Sequence, residues 1–183
     1  MKIDIDKLVK VNNPQVPKLK ALVDLRLEDS FILEDIKLIE HNGKLFIAMK
    51  SRKLPTGEYK DIYHPTVESL RNSMSRVIIE EYQYGRYSPG YSEGLNITEV
   101  KVKKIPDSPN GLIAIASIIF NDKIVVHDIK LVQKKSEDGV IQYLVIMPNR
   151  EVDGTFRNIA YAINDNLRSQ ITEKVLEEYN KLS

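Results

Sequence analysis

LEDIKLIE at residues 33–40 and VHDIKLVQ at residues 126–133 are nearly the same phrase, written once in each half of the chain. Working outward, the likeness persists. Residues 19–39 (LKALVDLRLEDSFILEDIKLI) align without a gap with residues 112–132 (LIAIASIIFNDKIVVHDIKLV), identical at 7 of 21 positions, and most other exchanges keep an apolar residue apolar. After a loop of different length, FIAMKSRKLPTGEYKDI (46–62) faces LVIMPNREVDGTFRNI (144–159). Leu70-Arg71 then answers Leu167-Arg168, and Glu80-Glu81-Tyr82 answers Glu177-Glu178-Tyr179. A unit of about 85 residues is therefore used twice, as an internal duplication. The expected organisation is unit 1 at 1–82, a linker at 83–94 and unit 2 at 95–183.

Within each unit the periods are readable. IDIDKLVKV (3–11) and ITEVKVKKI (97–105) alternate apolar and polar residues, as half-buried strands do. ALVDLRLE and IAIASIIF follow, each closed by a turn at Asp29-Ser30 or Asn121-Asp122. FILEDIKLI and IVVHDIKLV are the next strands, then KLFIAM and YLVIM, with Asn42-Gly43 and Asp138-Gly139 as hairpin turns. A polar loop through Thr56-Gly57 or Asp153-Gly154 leads on to a closing helix. Leu70, Met74, Val77, Ile78 and Tyr82 fall at helical spacing behind Thr66 as N-cap. Leu167, Ile171, Val175 and Tyr179 repeat the stripe behind Asn164-Asp165. The fold class read here is α+β: two tandem units, each an antiparallel sheet followed by a C-terminal helix.

Bulk composition narrows the function. The chain has 183 residues, 42% hydrophobic and 29% charged, an ordinary globular mix. It has no Cys, which excludes disulfides and thiolate metal sites. MKIDIDKLVKVNN lacks the apolar centre of a signal peptide, and no run reaches the roughly 18 apolar residues of a membrane span. A cytoplasmic location is expected. Residues 1–92 carry 15 basic against 13 acidic side chains (+2), and residues 93–183 carry 12 against 13 (−1), so any phosphate binding must come from a local patch.

The ordered series VVHDIKLV (125–132), IMPNREVDGTFRNIAYAIN (146–164) and VLEEY (175–179), with FIAMKSRKLPTGEYKDIYHP (46–65), resembles the stage V sporulation protein G family, SpoVG. The resemblance covers both halves and leaves out mainly the linker and loops. It implies a small α+β domain that forms a homodimer and binds DNA, and also RNA, in bacterial gene regulation linked to septation and sporulation. Two fused units are then expected to pair within the chain as an intramolecular pseudo-dimer, with further homo-oligomers open. The sequence also leaves open whether the units exchange helices. The copies have diverged: His64-Pro65 stands against Tyr161-Ala162, Glu34-Asp35 against His127-Asp128, and Met49-Lys50 against Met147-Pro148.

The candidate nucleic-acid contacts lie in the loop and helix start of unit 1. From 50 to 76, Lys50, Arg52, Lys53, Lys60, Arg71 and Arg76 stand against Glu58, Asp61 and Glu68, a balance of 6 − 3 = +3. Residues 148–174 hold four cations, among them Arg150, Arg157 and Arg168, against four carboxylates, a balance of zero. Convergent cations beside a helix N-terminus suit phosphate oxygens. His64 belongs to the same stretch. Arg71 and Arg168 meet a phosphate or pair with Glu68 and Asp165 at i−3. The linker QYGRYSPGYSEG is a connector, or its Tyr84, Tyr87 and Tyr91 with Arg86 stack on bases. His127-Asp128 looks like an imidazole oriented by a carboxylate, but neighbours on a regular strand point to opposite faces. His41, His64 and His127 lie on separate elements, giving no metal site, and no Gly-rich phosphate loop appears. The reading is a cytoplasmic, non-enzymatic regulator without cofactor that binds DNA or RNA. Its rival is a protein-interaction module of division or sporulation that has lost nucleic-acid binding.

Overall fold

The computed structural model describes residues 1–182 apart from Asp107 and Pro109; Ser183, the last residue expected in unit 2, lies outside the described residues. The first unit runs β1 (Ile3–Lys10), β2 (Leu19–Leu27), β3 (Phe31–His41), β4 (Lys44–Ala48), β5 (Ser51–Lys53), β6 (Tyr59–Asp61), β7 (Tyr63–Pro65) and α1 (Glu68–Tyr84). The second repeats the order with β8 (Ile97–Lys104), β9 (Leu112–Phe120), β10 (Ile124–Lys135), β11 (Ile141–Ile146), β12 (Asn149–Val152), β13 (Thr155–Asn158), β14 (Ala160–Ala162) and α2 (Asp165–Asn180). This is the α+β duplication read from the sequence.

Each long sheet is an antiparallel meander with one buried face. β2 shows why: Ala21, Val23, Leu25 and Leu27 are fully buried while the residues between them are half-exposed, the period of two that the sequence displays. The turn expected at Asp29-Ser30 centres one residue earlier, on Glu28-Asp29; it and the turn at Asn121-Asp122 have positive φ at both central residues (49° and 53°, 52° and 54°), which Asp and Asn tolerate, and each closes a three-residue loop between paired strands. Asn42-Gly43 (φ 51° and 73°) also has positive φ at both residues, the twist that two-residue hairpins require. Asp138-Gly139 instead sits in a wider loop between Lys135 and Ile141.

The short strand of each unit joins the other unit's sheet. β7 pairs with β10, His64 opposite Val125, and β14 pairs with β3, Tyr161 opposite Ile32. The flanking backbone bonds are reciprocal. His127 N–H donates to the Ile62 carbonyl at 2.7 Å, and Glu34 N–H to the Ile159 carbonyl at 2.8 Å. Thr66 N–H reaches the Lys123 carbonyl at 2.7 Å, and Ile163 N–H the Ser30 carbonyl at 2.9 Å. The helices stay at home: α1 lies against β1 and β4, and α2 against β8 and β11. One continuous core results. Phe31 and Phe120, from different units, pack with their rings tilted by 54° and centroids 5.1 Å apart, and both are fully buried. Tyr63, also fully buried, donates its hydroxyl from β7 to the Glu34 carbonyl on β3, and burial pushes its phenol well above the usual range.

Two local expectations need correction. The N-cap of α1 is Val67 and not Thr66, because the Thr66 hydroxyl is drawn to the Asp122 carbonyl at 3.0 Å across the unit boundary. Asn164 does cap α2, accepting from Leu167 N–H at 2.8 Å. The linker is stapled down. Tyr87 packs on β1, where its hydroxyl accepts from Ile5 N–H at 3.0 Å, so it is unavailable for base stacking; Tyr84 and Tyr91 remain exposed. Glu28, buried, gathers the N–H of Lys2 at 2.6 Å, the Ser92 hydroxyl at 2.5 Å and the N–H of Gly94 at 3.2 Å. Burial raises its pKa, but these donors outweigh burial and hold it below the usual carboxylate range.

Candidate nucleic-acid interface

The stretches read as polar loops are two-stranded ribbons that leave the body of the fold. β5 pairs with β6, setting Arg52 opposite Lys60 and Lys53 opposite Tyr59; β12 pairs with β13, setting Arg150 opposite Arg157 and Glu151 opposite Phe156. Directly opposite residues share a face. Each ribbon therefore carries a pair of cations on one face and an aromatic ring on the other. Tyr59 is 71% exposed and Phe156 70%, at equivalent repeat positions.

The repeated DIK phrase supplies the counterpart. Pairing register slips beside Asp35 and Asp128, whose backbones take φ of 64° and 60°. These are β-bulges, and a bulge re-aims a side chain. Each carboxylate meets the other unit's ribbon. Arg52 donates to Asp128 through Nε and, at 3.0 Å, through Nη2. Arg150 reaches Asp35 through Nη1 at 3.0 Å and Nη2 at 3.3 Å, and Lys50 Nζ lies 3.0 Å from the same carboxylate. Asp35 N–H donates to Asp24 Oδ1 at 2.9 Å, and burial pushes the Asp24 carboxyl upward. The bulge also qualifies the alternation argument for His127-Asp128. Strand alternation breaks there, and the two side chains take separate partners.

Those partners explain how the copies diverged. His127 lies beside His64 of the exchanged strand, ring centroids 5.4 Å apart, with Nδ1 2.9 Å from the Ser117 hydroxyl. Burial, then Lys60 and His64, lower its pKa. At the equivalent junction Tyr161 donates to Glu34 at 3.1 Å. Burial raises the Glu34 pKa, and burial with Glu34 pushes Tyr161 up to about 12. Each divergent residue thus faces its changed counterpart in the other unit.

The sequence-derived cations divide into two groups. Arg52 and Arg150 are held in ion pairs across the unit boundary, and Lys50 pairs with Asp35 of its own unit. Lys53, Lys60, Arg71 and Arg157 are exposed and have no ion-pair partner among the described residues. Arg168 pairs with Asp165 at 3.0 Å on an exposed helix turn. His64 is half-buried and its Nδ1 has no partner among the described residues. Sequence reasoning passed over Tyr59 and Phe156. Their signal was an aromatic in the same place in YKDI and FRNI, inside otherwise polar loops.

Between the ribbon bases lies a cavity of about 470 Å³ lined from both units, with Ile62, Ile115 and Ile159 among its walls. Among the described residues no group of His, Asp or Glu is arranged to hold a metal ion, and no helix is long and apolar enough to cross a membrane.

Comparison with known proteins adds an independent finding. The SpoVG family model matches residues 1–84 and again residues 95–181. A septation protein SpoVG of Caldanaerobacter subterraneus is 43% identical over 83 residues, 45% of this chain and 89% of that protein. The protein of the same name from Clostridium novyi is 47% identical over 66 residues, 36% of this chain and 66% of that protein. The one from Caldicellulosiruptor saccharolyticus is 44% identical over 66 residues, 36% of this chain and 75% of that protein.

Proposed function

The chain belongs to the SpoVG family as a tandem duplication of its unit, and from that premise we propose that it is a non-enzymatic, cytoplasmic regulator of septation or sporulation that binds nucleic acid. The observation that carries this reading is the ribbon pair. Each ribbon carries an exposed aromatic on one face and an exposed cation at the next position on the other, Tyr59 with Lys60 and Phe156 with Arg157. Cations engage phosphates without regard to sequence, while flat rings stack on unpaired bases. Arg71 and Arg168, at the two helix starts, extend the basic surface.

The clasped cations play a different part. Lys50, Arg52 and Arg150 orient the ribbons against the sheets, and their removal would disturb the fold along with any ligand. The test is therefore a chain with Lys53, Lys60 and Arg157 changed to Ala, compared with wild type by fluorescence anisotropy on mixed DNA and RNA pools across a salt series. Each lost phosphate contact flattens the slope of log K against log salt by about 0.9 for duplex DNA. Binding that fades steeply with salt and collapses in the triple variant supports the reading. Wild type that binds neither pool at low salt refutes it. The rival reading, a protein-interaction module, draws on β11, where Ile141, Tyr143 and Leu144 are exposed.

A further inference from the structure

The cavity between the ribbon bases has a chemistry that the ribbon faces lack. At about 470 Å³ it falls in the range of small-molecule sites, roughly 300–1,000 Å³. Its apolar side is three isoleucines, of which Ile62 and Ile159 are equivalent residues of the two units and both buried. Its charged side is Lys50, Arg52, Lys130 and Arg150, with Asp128 as the carboxylate among the lining residues. Asp35 stands behind Lys50 and Arg150. Four cations against two carboxylates leave 4 − 2 = +2.

That excess has a location. Asp128 is taken by Arg52, and Asp35 is shared by Arg150 and Lys50. Lys130 on β10, half-buried beside Ile115 on the neighbouring strand, has no hydrogen-bond or ion-pair partner among the described residues. Arg150 Nε is also buried without an acceptor there. A half-buried ammonium against an apolar wall loses hydration without a compensating charge. An anion in the cavity restores what is missing.

We infer that this cavity binds a small phosphate monoester carrying a flat apolar body. The phosphoryl group, dianionic above its second pKa of about 6, matches the +2 excess and offers three acceptor oxygens to cations arriving from different strands. The body covers the isoleucines. The site exists only where the two units meet, because Lys50 and Arg52 come from one and Lys130 and Arg150 from the other. The site shares its ribbon face with Lys60 and Arg157, which stand opposite Arg52 and Arg150, and lies away from the face that carries Tyr59 and Phe156; it uses none of the exposed cations proposed for nucleic acid and does not rest on that reading.

The test is isothermal titration of the full chain with phenyl phosphate, inorganic phosphate and phenol. One phenyl phosphate is expected per chain, at least 10-fold tighter than either fragment and weaker below pH 6. Lys130→Met, which keeps the aliphatic stem, should lose at least 10-fold, while Lys53→Ala on the ribbon's outer face should lose nothing. Lys130→Met should also keep wild-type affinity for the oligonucleotide pools, so this site and the nucleic-acid reading fail separately. A melting temperature raised by phenyl phosphate but not by equimolar inorganic phosphate is the form of the test that needs no variant. Inorganic phosphate binding as tightly as phenyl phosphate, an unaffected Lys130→Met, or no heat from phenyl phosphate would each overturn the proposal.

Discussion

Replacing Asp35 by Asn should destabilise the fold about twice as much as replacing Asp128 by Asn. The substitution is chosen for the backbone: both residues have φ near +60°, which Asn tolerates and Ala does not, so the change removes charge without adding strain. Asp35 serves two cations, Lys50 of its own unit and Arg150 of the opposite ribbon, whereas Asp128 serves Arg52 alone. A hydrogen bond to a charged group contributes about 1.5–3 kcal/mol. Arg52 and Arg150 are 42% and 40% exposed, so water screens them and about 1 kcal/mol per cation is the better figure. Asp35→Asn should then cost about 2 kcal/mol and Asp128→Asn about 1 kcal/mol. With a urea m-value of about 2 kcal/mol/M, the midpoints fall by about 1 M and 0.5 M. A double-mutant cycle of Asp128→Asn with Arg52→Gln should return a coupling of about 1 kcal/mol. Equal midpoints for wild type and both variants, or a larger loss at Asp128, would show that these carboxylates do not hold the ribbons.

Glu93 makes an acid-sensitive contact. Lys123 at 2.6 Å and the N-terminal amine at 3.3 Å, against a small opposing effect of burial, hold its carboxyl down at about 2. A depressed folded pKa gives stability that is present above about 4.5 and lost as pH falls toward 2, so Glu93→Gln should narrow its deficit over that window in acid-unfolding curves. His127, lowered chiefly by burial, binds its proton more readily when unfolded; its contribution is full above pH 6.5 and declines as pH falls below it. His127→Gln should flatten the stability profile between pH 6.5 and 5, measured as melting temperature against pH. Tyr59→Ser and Phe156→Ser should leave stability within about 0.5 kcal/mol, since both rings are exposed, yet weaken single-stranded oligonucleotides by about 1–3 kcal/mol per lost stack. Equal losses on duplex and single strands would argue against stacking.

The meander strands and both helices were legible because each has one buried face, and burial writes a period of two or 3.6 into the residues. The repeat was legible because both copies kept those periods. The exchange of β7 and β14 was not. A three-residue strand such as Tyr63–Pro65 has no measurable period, and which sheet edge it joins is decided by tertiary contacts. The bulges at Asp35 and Asp128 carry no glycine to announce them. Local charge counting misses distant partners for a related reason. Arg52 is neutralised by a carboxylate 76 residues away and Arg150 by one 115 residues away, so a window over either ribbon counts cations whose partners lie elsewhere. Lys53, Lys60 and Arg157 do stand exposed, but beside aromatic rings that a charge count ignores.

Each unit completes the other's sheet within one chain, and the absence of native cysteine allows a direct test of that exchange. His64 and Val125 stand directly opposite one another on β7 and β10, within the reach of a disulfide between paired strands. With both changed to Cys and the chain mildly oxidised, a cross-link should form inside the monomer, at a rate independent of protein concentration, mapped by peptide mass. Cross-links found only between chains, or none in a folded protein, would contradict it.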